Sequence, residues 1–72
     1  MPGKDAFRVE GRIVKPRGPG LADVELANGH RLLGHMRRRD QAAGVSLRIG
    51  MKVTVELKPY DLSAGRMTLQ TN

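Results

Sequence analysis

The sequence predicts an all-β fold, a closed five-stranded antiparallel barrel with a short helical or irregular segment between strands three and four. Three observations lead there. Apolar residues recur with period two in several short runs, glycine, proline and Asn-Gly punctuate them, and one stretch, residues 37–50, abandons the alternation for charge. At 72 residues a chain forms a single domain, because one this short buries only about 60% of its unfolded surface. A folding free energy of roughly 5 kcal/mol is expected for such a core.

The first strand is read from Phe7, Val9, Gly11 and Ile13 facing inward, with Arg8, Glu10, Arg12 and Val14 on the other face. Pro16-Arg-Gly-Pro-Gly20 is expected to end it, since proline removes a ladder donor and glycine permits positive φ. Ala22, Val24 and Leu26 mark a second strand, and Asn28-Gly29 is a strong hairpin signal before a third at residues 30–36. In the stretch that follows, Gln41-Ala-Ala-Gly44 permits one or two helical turns stopped by Gly44. The cleanest alternation follows, with Val53, Val55 and Leu57 inward. A turn over residues 59–65 then precedes a last strand at 66–71 in which Met67 and Leu69 face in. Closing five short strands into a barrel removes the exposed edges that invite aggregation. A helical insertion between strands three and four is the arrangement of the oligonucleotide-binding (OB) fold. Residues 6–72 form this domain, and residues 1–5 are read as a flexible tail.

Charge narrows the function. With 13 Lys and Arg against 7 Asp and Glu, the net charge is +6, which points to a polyanionic partner, nucleic acid before an anionic membrane surface. The opening MPGKDAFRVEG carries no hydrophobic signal region, no apolar run approaches the roughly 18 residues of a membrane span, and there is no cysteine. A cytoplasmic monomer is expected.

Arg37-Arg-Arg39, with Arg31 and Arg48, concentrates guanidinium groups near the exit of strand three. Guanidinium is planar, always charged and able to fork onto phosphate oxygens, so phosphate contact is favoured over a merely solvated loop. So large a basic excess is expected to leave these arginines unpaired. Arg66 and Lys58 flank one turn and could share a rim of the barrel, while Arg8, Arg12, Lys15 and Arg17 extend the positive field.

His30 and His35, five apart in a strand, fall on opposite faces, so a shared metal is not expected; each is read as a hydrogen-bonding or RNA-facing group. Only Phe7 and Tyr60 could stack on bases. Phe7 is assigned to the core, and Tyr60 is open between packing and stacking. Asp5, Asp23, Asp40 and Asp61 are scattered, no serine or histidine has an evident base partner, and no phosphate-cradling glycine loop precedes a helix, so neither an enzyme nor a cofactor is expected. Asp61 or Ser63 is expected to bond back to the local backbone.

The runs VELANGH (residues 24–30) and MKVTVELKPYDLSAGR (residues 51–66) resemble the VELxNGH and KVTVELxPYDLSxGR segments of the bacterial translation initiation factor one family, an S1-like OB-fold family. The resemblance covers nearly the whole chain. It implies a factor that binds the small ribosomal subunit at the aminoacyl-tRNA site, touching ribosomal RNA and a ribosomal protein and cooperating with initiation factors two and three. His30, His35, Arg39 and Arg66 match positions of the family pattern. Where typical members read close to KMRKNYIRI after strand three, this chain reads RDQAAGVSLR (residues 39–48), and Ala22 and Leu69 stand where aromatics are common. Part of the usual RNA grip is then missing or moved to Arg37, Arg38 and Arg48, as in a divergent second copy. Two alternatives are a cold-shock-type single-stranded RNA chaperone, which shares the barrel but normally carries more aromatics, and a protein-interaction module for an acidic partner.

Overall fold

The computed structural model describes residues 6–42 and 46–69, without the side chains of Arg39 and Ala42. The expected tail at 1–5, the helix stop at Gly44 and the Arg39 contact lie outside the described residues.

The elements are β1 (Phe7–Gly18), β2 (Leu21–Leu26), β3 (Arg31–His35), α1 (Arg38–Ala42), β4 (Lys52–Lys58) and β5 (Asp61–Leu69). The strands close into a barrel in the order β1-β2-β3-β5-β4. Four seams are antiparallel, but β3 and β5 run parallel, which corrects the expectation of a wholly antiparallel barrel. Parity forces this, because strand directions cannot alternate around a ring with an odd number of members.

Alternation puts Ile13, Ala22, Val24, Leu32, Val53, Val55, Leu57 and Met67 inside, and Met36 joins them from just beyond β3. Ala22 is fully buried and Leu69 packs partly against the core. The small residue at 22 is therefore a packing choice rather than a lost RNA contact. Phe7 faces the same interior column, opposite Leu57, but it begins its strand at the rim and is 39% exposed, so it is not the core residue expected. At the parallel seam Gly34 and Gly65 stand side by side. A Cβ on Gly65 would lie 2.6 Å from Val55 Cγ1 and 2.8 Å from the Glu56 carbonyl oxygen. The interior of so small a barrel has no room there for a methyl group.

Three boundaries differ from expectation. β1 runs through Pro16 to Gly18, with register shifts on both sides of the proline. Beyond Arg12 it has lost β4 as a partner, and a proline is tolerated where a strand is bulged and borders an open edge. β5 starts at Asp61 rather than Arg66, because a two-residue turn at Pro59-Tyr60 and a register shift near Lys58 suffice to reverse the chain. His30 lies just outside β3, in the turn that Asn28-Gly29 builds; Gly29 has φ +88°, and Leu26 N–H donates to the His30 carbonyl at 2.8 Å.

The helical turn comes earlier than Gln41-Ala-Ala-Gly44 suggested, and it is tied to the barrel. Gln41 Nε2 donates to the Met36 carbonyl at 3.0 Å, and Met36 N–H donates to the Gly20 carbonyl at 2.8 Å. Gly20, at φ +71°, leaves the space that the Gln41 side chain fills. The arginine-bearing segment is thereby held against the β1–β2 turn.

Candidate nucleic-acid interface

Strand register lines up one outward row across four strands: Arg8 on β1 faces Glu56 on β4, Glu56 faces Arg66 on β5, and Arg66 faces His35 on β3. Glu56 is shared between two guanidiniums. Arg66 Nη2 donates to its Oε1 at 2.7 Å, and Arg8 Nε lies 3.6 Å from its Oε2. Beside this row Arg37 comes down from the α1 end, so that Arg8, Arg37, Thr54, Glu56, Arg66 and Thr68 line a shallow groove of about 340 Å³. A second depression of about 400 Å³ shares Glu56 and Arg66 with the first and adds His35, Lys58 and Asp61.

Charges lining the two depressions are Arg8, Arg37, Lys58 and Arg66 against Glu56 and Asp61, so four positive groups face two negative ones. The ion pairs within the groove are solvent-exposed and worth at most about 1 kcal/mol each. A phosphate oxygen can therefore displace a carboxylate oxygen from either arginine at small cost, and the threonines bring hydroxyls to the same wall. Asp61 serves its own turn: Ser63 Oγ and Ser63 N–H donate to its Oδ1 at 2.6 and 3.2 Å. Those hydrogen bonds, the hydroxyl's above all, hold the Asp61 carboxyl below the ordinary carboxylate range. The expected Asp61–Ser63 local bond is thus present.

The structure sorts the expected contacts. Arg37, Arg66 and His35 come together on one face with Lys58. The arginines are less free than the charge excess implied: Arg37 Nε lies 3.4 Å from Asp40 Oδ2, and Arg31 Nε lies 3.1 Å from Glu25 Oε2. Arg38 is exposed and has no carboxylate partner among the described residues. Arg48 sits on the turn before β4, where Met51 N–H donates to its carbonyl at 3.2 Å, and it lines neither depression. His30 Nε2 lies 2.7 Å from the Leu62 carbonyl oxygen, a hydrogen bond that joins the β2–β3 turn to the start of β5. Tyr60 is 74% exposed and does not pack in the core; Lys58 Nζ lies 5.9 Å from its ring centroid. Sequence reasoning left out Thr54, Glu56 and Thr68 and gave Arg8 only a diffuse role. Alternation alone puts all four on outer faces, but their meeting depends on register.

Among the described residues no three His, Cys, Asp or Glu side chains group as metal ligands, and no helix is long and apolar enough to cross a membrane. No protein-family model matches the sequence. The structure is similar over its full length to the solution structure of translation initiation factor one from the Wolbachia endosymbiont (strain TRS) of Brugia malayi. The TM-score is 0.74 at 26% identity, with 100% of this chain and 85% of that chain covered. The fold is thus an OB barrel like that of an initiation factor, a protein whose name is not that of an enzyme.

Proposed function

We propose that this chain is a translation initiation factor that binds the small ribosomal subunit at the aminoacyl-tRNA site through ribosomal RNA and assists assembly of the initiation complex. The full-length likeness to translation initiation factor one carries the reading. The groove supplies its chemistry. Arg8, Arg37 and Arg66 converge on one face beside two threonines, and phosphate replaces Glu56 as the partner of Arg8 and Arg66 when RNA docks. A ribosomal protein and initiation factors two and three are its neighbours on the subunit, and it acts as a cytoplasmic monomer without a cofactor.

Chemical footprinting on isolated small subunits tests this. Protection of the aminoacyl-tRNA site, lost as salt rises, is the expected result. Absence of protection there refutes the assignment. Tight binding to free oligonucleotides with no preference for subunits would point instead to a cold-shock-type chaperone, and capture unchanged by nuclease to a protein partner.

A further inference from the structure

Further along the β1–β4 seam lies a second concentration of charge. Arg12 and Lys52 are directly opposed in register, and both are exposed on the outer face, since their neighbours Gly11 and Val53 point inward. Cβ atoms so opposed are about 5 Å apart, and like charges in that position repel. No carboxylate among the described residues is ion-paired with either; Glu25, which lies opposite Arg12 on β2, pairs with Arg31 instead. The turn before β4 brings a third cation to this end of the seam. Gly50 N–H donates to the Ile13 carbonyl at 2.7 Å and Ile13 N–H to the Met51 carbonyl at 2.9 Å, so the turn bearing Arg48 is laced to β1 one residue beyond Arg12. Beside Arg48, Ile49 is 73% exposed and offers an apolar surface that a base could cover.

We propose that Arg12, Lys52 and Arg48 form a second RNA phosphate site, so that one RNA strand follows the β1–β4 seam from the groove to the turn before β4. From Arg8 to Arg12 is four residues of β1, about 13 Å at the usual strand rise, and Glu10 and Thr54 are the residue pair between. A phosphate bridging Arg12 and Lys52 offsets a repulsion that Glu25, already paired with Arg31, relieves only from the β2 side. This inference rests on the reading that the groove itself holds RNA, and it adds a direction to the bound strand.

The test compares Arg12→Gln/Lys52→Gln with Arg37→Gln/Arg66→Gln, using the full chain with a short single-stranded RNA and with isolated small subunits. For the seam variant the slope of log affinity against log salt should fall by about 0.7 to 1.4, one to two phosphate contacts. That corresponds to about 5- to 25-fold weaker binding at about 0.1 M salt, a gap that closes toward 1 M. Without RNA, the seam variant should melt at a higher temperature than the parent in low salt, a gain that added salt erases. An unchanged slope in the seam variant alongside a reduced one in the groove variant overturns the second site and leaves the groove reading standing. The reverse result overturns the groove reading and, with it, the single strand running from the groove to the turn. No salt-dependent RNA binding by the parent protein overturns both, and a lower melting point for the free seam variant overturns the repulsion on which the proposal stands.

Discussion

Replacing Glu56 with glutamine separates the two tasks that its carboxylate could perform. In the free protein it accepts from Arg66 at 2.7 Å and lies 3.6 Å from Arg8, with side-chain exposures of 30% for Glu56, 45% for Arg66 and 77% for Arg8. Pairs this exposed contribute about 0.2–1 kcal/mol. The more open Arg8 pair falls at the low end, and a glutamine oxygen can still accept from Arg66, so a stability loss under about 1 kcal/mol is expected in a urea melt. The effect on RNA should run the other way. A phosphate held by both arginines would lie about 5 Å from the carboxylate, where one unit of repulsion is about 0.8 kcal/mol in water and about 3 kcal/mol at an effective dielectric of 20. Glu56→Gln should therefore bind RNA at least about fourfold more tightly at low salt. Fluorescence anisotropy across a salt series reads both the gain and its decay with salt. Equal or weaker binding by a fully folded Glu56→Gln protein would mean that the carboxylate orients Arg66 for its ligand, and the displacement argument would be wrong.

The remaining predictions concern the fold and the turn. Gly65→Ala forces a methyl group against Val55 and the Glu56 carbonyl and should cost about 1–3 kcal/mol in denaturant, a large share of the stability of so small a domain. Tyr60→Ala removes a 74% exposed ring and should leave the melting temperature nearly unchanged; a loss of RNA affinity would show that the ring stacks on a base, with about 1–3 kcal/mol at stake. The lowered pKa of Asp61 means that its contribution to stability is fully present above the ordinary carboxylate pKa, near about 3.9, and fades as pH falls through the lower folded value. Ser63→Ala removes the hydroxyl that is the main cause of that shift. Its stability deficit should be constant near neutrality and shrink below about pH 4, as acid melts of the two proteins would record.

How far the sequence reaches is clearest in β4 and in the β2–β3 turn. Val53, Val55 and Leu57 alternate with polar residues, and all three are buried; Asn28-Gly29 makes its turn with Gly29 at positive φ. These features depend on a strand's own period and on the conformational range of one or two residues, so neighbours in the chain suffice to specify them. The five strands and the helical turn between the third and fourth follow from the same local signals. Boundaries moved at Pro16 and Asp61, where a strand continues through residues that locally favour turns because a bulge or a register shift accommodates them.

The candidate groove belongs to the other class. Charge composition alone pointed to a polyanion and singled out the arginines after β3, and of these Arg37 lines the groove while Arg48 lies at the end of the second seam site. The company Arg37 keeps comes from Arg8 on β1 and from Glu56 and Arg66 on β4 and β5, two strands far from β1 in sequence. Period two states only that each of those side chains faces outward. Which outward residue meets which is decided by register around the closed ring, and register follows from bulges, turn lengths and the one parallel seam that an odd number of strands requires. The sequence by itself determined a small basic β-barrel; the closure of that barrel decided where its charges meet, because a side chain's partner across a seam is set by the whole ring and not by its neighbours along the chain.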